Sequence, residues 1–291
     1  MKKLTLTLLL LLTVVLLHAR TIEVSAAYTG SKDFDQAQAK ATMALTLNTL
    51  AGLEAKMANE RVFKDPVFSV AAPIALNFEL VRFSIRPFYY LKNKSDNAAF
   101  QDASAWGVNA QMSMPLREDE INEVYTHAFL MASFAQQQGT VFYNDASMEN
   151  RHYSQAAYTL GLSQTLYNAF GLDITGSVFQ YPNGVSGVAG LRSVMDQQEL
   201  ARTQTLDIVH QLAKYTLSGR LARMWAGNGS SFYLGYRYGE YHNAESEHSV
   251  MAGNSFVAFQ RVTVDMAYNH VFDVHNNNKR DIFYIQLEAS F

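Results

Sequence analysis

Residues able to do polar chemistry are sparse in this chain, and they fall at regular places. Glu23, Lys40, Glu54, Lys56, Glu60, Arg82, Arg86, Asp173, Arg220, Arg237, Asp265 and Glu288 each occupy a polar position in a segment whose alternate positions are apolar. Opposite charges so placed can filter charged solutes or pair with one another as ion-pair networks, and both readings stay open. A second group, Asp145, His152, His242, Glu245, Glu247, His248, Ser249 and His275, falls in polar connecting stretches. Glu247-His248-Ser249 contains an acid, a base and a hydroxyl, but neighbours on a strand point to opposite faces, so adjacency cannot make them a triad. No Gly-rich phosphate loop and no His-x-x-x-His spacing occurs. No residue is therefore singled out as catalytic, no metal ligand is assigned and no cofactor is expected.

The elements that carry these residues read as β-strands. At the end of the chain Phe283, Ile285, Leu287, Ala289 and Phe291 alternate with Tyr284, Gln286, Glu288 and Ser290. That is a period of two, the mark of a strand with one apolar and one polar face. The same pattern recurs at Thr21–Gly30 and Lys40–Asn48, then climbs back through Leu53, Ala55 and Met57 after a reversal at Leu50-Ala51-Gly52. Val67–Leu76 is weakened by Pro73, which cannot donate a ladder hydrogen bond. Further segments are centred on Phe83–Pro87, Trp106–Met114, Val124–Phe134, Ala156–Leu162, Leu172–Val178, Asp207–Trp225, Phe232–Tyr238, Ser249–Phe259 and Val262–Tyr268.

Composition narrows the class. Charged residues make up 17% of the chain, below the quarter usual for soluble proteins, while Phe and Tyr number 18 and 16. There is no cysteine, hence no disulfide, thiolate metal site or lipidated Cys anchor. Lys2 and Lys3 precede an apolar run from Leu4 to Leu17, followed by His18-Ala19. This reads as a signal peptide over residues 1–19, leaving one β domain over 20–291. The net charge of −3 includes those two lysines, and no basic face argues for nucleic acid. No second apolar run approaches the length of a helical span.

Taken together, the strand pattern resembles that of bacterial outer-membrane β-barrels, a likeness of class over the whole chain. It implies an all-β fold, a single transmembrane antiparallel up-and-down barrel of about fourteen strands, with twelve or sixteen open. Long connections at 31–38, 92–103, 136–151, 182–202, 242–248 and 275–280 would lie outside and the short turns in the periplasm. Tyr28, Trp106, Tyr167, Tyr181, Trp225, Phe259 and Phe291 would form interfacial girdles. The terminal strand, with Phe283, Ile285, Leu287 and Phe291, resembles the recognition strand shown to the barrel-assembly machinery. It would close the barrel against Thr21–Gly30. The polar faces, small and poor at core packing, would line the lumen. Arg82, Arg86, Arg220 and Arg237 are the leading pore candidates, with Glu54, Lys56, Asp173, Asp265 and Glu288 beside them. The partners implied are outer-membrane lipid, the assembly machinery and small hydrophilic solutes. The expected function is porin-like passive diffusion. Alternatives are an adhesin, receptor or scaffold working through its loops, and an outer-membrane hydrolase with rim His, Ser and acid residues. The apolar members of 182–202, such as Val185, Val188 and Leu191, raise the question whether that loop folds into the lumen.

Overall fold

The computed structural model describes residues 21–32, 34–60, 66–97, 100–143, 147–167, 169–182, 213–225, 230–242, 245–258, 261–273, 275 and 279–291. The signal-peptide segment and the loop 182–202, apart from Pro182, lie outside the described residues, as do Asp207–Leu212 of the strand expected at 207–225 and Phe259.

The strands are β1 (Ile22–Ser31), β2 (Phe34–Ala44), β3 (Thr49–Glu60), β4 (Val67–Ala71), β5 (Ile74–Asn77), β6 (Arg82–Asn97), β7 (Phe100–Asp119), β8 (Val124–Tyr143), β9 (Ser147–Leu166), β10 (Phe170–Gln180), β11 (Ala213–Met224), β12 (Ser231–Tyr241), β13 (Glu247–Ala258), β14 (Val262–Asp273) and β15 (Lys279–Ser290). Each pairs antiparallel with its sequence neighbour, except that β4 and β5 each pair with β3 and β6 and not with one another, and β15 pairs with β1, so the sheet closes on itself. The seam is tied at its end by Phe291 N–H to the Ile22 carbonyl (2.8 Å) and Ile22 N–H to the Phe291 carbonyl (3.1 Å). Closure satisfies every strand edge, the condition for a sheet to sit in hydrocarbon.

β4 and β5 are one wall strand interrupted at Ala72-Pro73, which makes fourteen wall strands. The interruption keeps its bonds: Gly52 N–H donates to the Pro73 carbonyl (2.8 Å) and Ala72 N–H to the Pro87 carbonyl (3.0 Å). Gly52 is required here. A Cβ at that position would stand 2.7 Å from the Ala41 carbonyl oxygen and 3.3 Å from the Pro73 ring. Following paired residues once around the wall returns to β1 displaced by about fourteen residues, one per strand, which sets a strand tilt of roughly 35–45°.

The outer face is the apolar one. Val24, Leu53, Val70, Ile85, Leu130, Leu160, Ile174, Leu217, Leu234, Val250, Met266, Ile285 and Leu287 are all exposed, as lipid-facing residues must be once lipid is removed from view. Rings border this band. Trp106 stacks edge-on with Phe134, Tyr215 lies by Tyr238 and Tyr268 by Phe283 toward the long-hairpin end, while Trp225 lies by Phe232 at the short-turn end. Tyr181 departs from the expected girdle. It faces the lumen, where its hydroxyl donates to the Ala213 carbonyl (2.9 Å), because odd positions of β10 point inward.

Three expected connections are largely strand. β2 starts at Phe34, β6 and β7 run to Asn97 and from Phe100, and β8 and β9 run to Tyr143 and from Ser147. The reversal expected at Leu50–Gly52 lies instead at 45–48, where Leu45 N–H donates to the Thr49 carbonyl (2.9 Å). The polar connections therefore become tall hairpins above the apolar band, and the first residue of β1, Ile22, and Phe291 lie together at the short-turn end.

Candidate functional site: the lumen wall

Residues alternating with the lipid-facing set form the inner wall. Many are hydroxyl or amide side chains that satisfy one another across strands. Thr159 and Ser177 hydroxyls are 2.7 Å apart, Thr175 bonds Ser218, and Ser249 donates to Asn269 Oδ1 (2.5 Å). In a lumen such pairs satisfy one another's hydrogen-bonding capacity across neighbouring strands.

The charged candidates form two groups. Arg86 donates through Nε and Nη2 to both carboxylate oxygens of Glu54, a two-point clamp reaching from β6 to β3 over the Ala72-Pro73 interruption. Both side chains are nearly enclosed. Arg220 Nε donates to Asp173 Oδ2 (3.2 Å), its direct register partner on β10. The Arg220 guanidinium also lies 5.0 Å above the Tyr233 ring, whose hydroxyl donates to Asp265 Oδ1 (2.5 Å). Asp173, Arg220, Tyr233 and Asp265 thus form one chain of contacts from β10 to β14. β3 and β11 are seven wall strands apart in either direction, so the two groups occupy opposite walls at mid-height.

The four arginines expected as pore residues do not come together. Arg82 is exposed at the start of β6, Arg86 is clamped, Arg220 sits in the second group and Arg237 is buried on β12. Lys56 stands above Glu54 on β3, and Glu288 accepts from Gln286 Nε2 (3.3 Å) on β15. The assembly candidates Phe283, Ile285, Leu287 and Phe291 all point outward and are exposed.

The inner wall also carries apolar side chains, so it is not uniformly small and polar. Phe88, Phe179 and Tyr241 are buried with Ala71, Ala135, Ala157 and Ala213, and Tyr90 and Tyr181 pack on them. These positions follow the register from β4 to β12, a belt around half the wall toward the long-hairpin end. Several rings lie flat against the sheet. Phe88 covers Gly107, Phe129 covers Gly161 and Tyr233 covers Gly253, each directly opposite in register. A glycine opposite an inward ring gives it a notch in the wall, since a Cβ there would collide with the ring. Alternation alone could flag these pairs only if the register were already known.

The rim groups show no assembled catalytic centre among the described residues. Glu247 faces inward and accepts from Arg280 Nη2 (2.6 Å), Ser249 also faces inward, and His248 points outward to the Tyr236 hydroxyl (2.6 Å). His242 packs against Tyr181, and its imidazole is held below its ordinary pKa, by partial burial first and the Lys214 charge second. Among the described residues no group of three His, Cys, Asp or Glu could hold a metal ion.

No family model matches the chain, and no curated protein matches it. Among solved structures, the CymD monoaromatic hydrocarbon channel superposes with a TM-score of 0.54 at 9% identity, over 94% of this chain and 89% of that one. CdiB from Acinetobacter baumannii gives 0.51 at 11% identity, over 93% of this chain and 60% of CdiB. At these identities the shared property is the fold, a closed antiparallel barrel of the outer-membrane kind.

Proposed function

We propose that this protein is a porin-like channel of the bacterial outer membrane, passing small hydrophilic solutes by passive diffusion. The observation that carries it is the two-faced wall: an apolar band outside, and inside a lining of hydroxyl, amide and charged groups, several of them hydrogen-bonded across strands, with three rings seated opposite glycines. Fourteen strands stand between the eight of side-chain-filled barrels and the 16–18 of open porins. The short turns then face the periplasm and the tall hairpins the outside. Single-channel recording in planar bilayers tests the reading: discrete conductance steps are expected, and silence where a known porin conducts would sink it.

The inner apolar belt of Phe88, Phe179 and Tyr241 supports a second reading, passage of amphipathic aromatic solutes. CymD is itself a monoaromatic hydrocarbon channel. Open-channel block by phenol, absent with glycerol, would favour it.

A further inference from the structure

The three short turns between β2 and β8 do not reach equally far. The β2–β3 and β5–β6 turns are held beside one another by the Asn77 N–H, which donates to the Asn48 carbonyl (2.8 Å), and their Leu47 and Leu80 belong to the membrane interface. Arg82, the first residue of β6, pairs with Ser113 of β7, but β7 runs on through Met114 to Asp119 before the chain returns as β8 at Val124. Among the described residues no strand accompanies β7 on its β6 side past Ser113, so Leu116 to Asp119 present an open ladder edge.

The projecting hairpin has a fixed shape. Asp119 accepts from the Asn122 N–H (3.1 Å), the Asn122 side-chain amide (3.0 Å) and Arg117 (2.9 Å), and Glu123 turns the chain at a φ of 52°, in the left-handed region. On this frame Ile121 is 94% exposed at the tip and Leu116 is 58% exposed at the root. Turns favour Gly, Asn, Asp, Ser and Pro for local reasons, none of which applies to an isoleucine. Glu118, Glu120 and Glu123 are exposed around it, and Glu79 is exposed on the neighbouring turn. Charge sorts the possible occupants of the tip. A bilayer surface is zwitterionic or anionic and offers these carboxylates no net counter-charge. A second copy of the hairpin would set like charges against like. A protein segment with lysine or arginine between apolar residues matches both the tip and its rim.

From this we infer that the β7–β8 hairpin is a docking site for an extended, basic and apolar segment of a soluble protein on the short-turn side, which is the periplasm when the barrel sits in the outer membrane. The segment adds to the β7 edge through main-chain hydrogen bonds, covers Ile121 with an apolar side chain and sets its cations against Glu118, Glu120 and Glu123. Pro115, which has no N–H, and the irregularity between Pro115 and Arg117 end the usable edge toward the membrane. Docking here does not depend on whether the lumen conducts.

A short fluorescent peptide of alternating lysine and valine tests this, titrated by anisotropy against the full-length protein in phosphatidylcholine nanodiscs, with empty nanodiscs as the blank. Saturable binding is expected. It should weaken at least about tenfold in Ile121→Ser, and likewise when Glu118→Gln, Glu120→Gln and Glu123→Gln are combined. Raising KCl from about 0.1 M to about 1 M should weaken it too, because the screening length falls from about 10 Å to about 3 Å. The same peptide with glutamate in place of lysine should not bind. Heat-modifiable migration on gels shows that each variant is folded. No saturable binding of the lysine peptide to the wild type, or equal binding to the wild type and all variants, overturns the docking site. So does a lipid-embedded tip, read as quenching by spin-labelled lipid of a dye on Ile121→Cys, a unique thiol in a chain without cysteine. Silent bilayers would remove the channel reading and leave the docking site standing.

Discussion

The ring of Phe129 lies over Gly161, its direct register partner on the next strand, and a Cβ at 161 would stand 1.8 Å from the ring's Cζ. The ring is 5% exposed although it points inward. The two residues act as a unit, one making room and the other filling it. Gly161→Val should therefore push Phe129 off the wall and lower single-channel conductance, at a stability cost of about 1–3 kcal/mol from overpacking. Adding Phe129→Ala should recover conductance, because the space is then shared differently. Unchanged conductance in the single variant would show that the ring does not set the bore.

The Arg86–Glu54 clamp is nearly enclosed, with side chains 15% and 7% exposed. Removing one partner leaves the other charge without its match, so Arg86→Ala should destabilise by about 3–5 kcal/mol. Arg86→Met combined with Glu54→Leu should cost much less. Urea unfolding from lipid vesicles, followed by the fluorescence of Trp106 and Trp225, measures both. Equal losses would mean the clamp contributes by shape and not by charge.

At the seam, deleting Phe291 removes the reciprocal pair of hydrogen bonds to Ile22 that ends the β1–β15 ladder. Leu287→Lys places a charge on the lipid face, at a cost of up to about 2–4 kcal/mol depending on depth. Both changes should reduce the folded fraction in membranes, seen as loss of the heat-modifiable band on gels. Conductance per assembled channel should stay as it was, since neither side chain faces the lumen. Normal insertion of both variants would count against a role for this strand in assembly.

Asp119 holds the β7–β8 turn together and titrates well below a free carboxylate, at about 2 against 3.8. The Asn122 side chain and backbone N–H donate to it first, and Arg117 assists. A depressed folded pKa gives stability that is present above the unfolded value and lost as pH falls through the folded one. The melting temperature of the native protein should exceed that of Asp119→Ala near pH 5, and the gap should close between about pH 4 and pH 2. A gap that persists at pH 2 would mean the turn does not depend on the ionised carboxylate.

What could be read in advance follows from where water and lipid lie. Between Leu53 and Ala55, or Leu172 and Ile174, one face meets lipid and the other the lumen, so period two appears in the sequence and the wall count follows. Gln136, Gln137 and Gln138 belong to β8 although all three are polar, so no alternation marks them and they read as loop; a strand that extends past the lipid needs no apolar face. Leu45 and Leu47 err the other way. They are apolar and in phase with β2, yet they sit exposed in the turn, where the membrane interface accepts an apolar side chain. The lumen contacts were hidden for another reason. Arg86 reaches Glu54 across an intervening strand, and that neighbourhood depends on tilt and register, which local composition does not encode.

The tall hairpins change what the outside of the cell meets first. β7, β8 and β9 span twenty residues each while β10 to β15 span eleven or twelve, so the described strands on one side are longer by eight or nine residues, roughly 20 Å of height for tilted strands at ~3.3 Å per residue. Among the described residues the tallest part of the wall is therefore the run from β7 to β9. In the channel reading, a bulky ligand that binds these hairpins would do so without touching the lining below them. Sequence change in the hairpins would then alter the rim and leave the mid-height lining as it is.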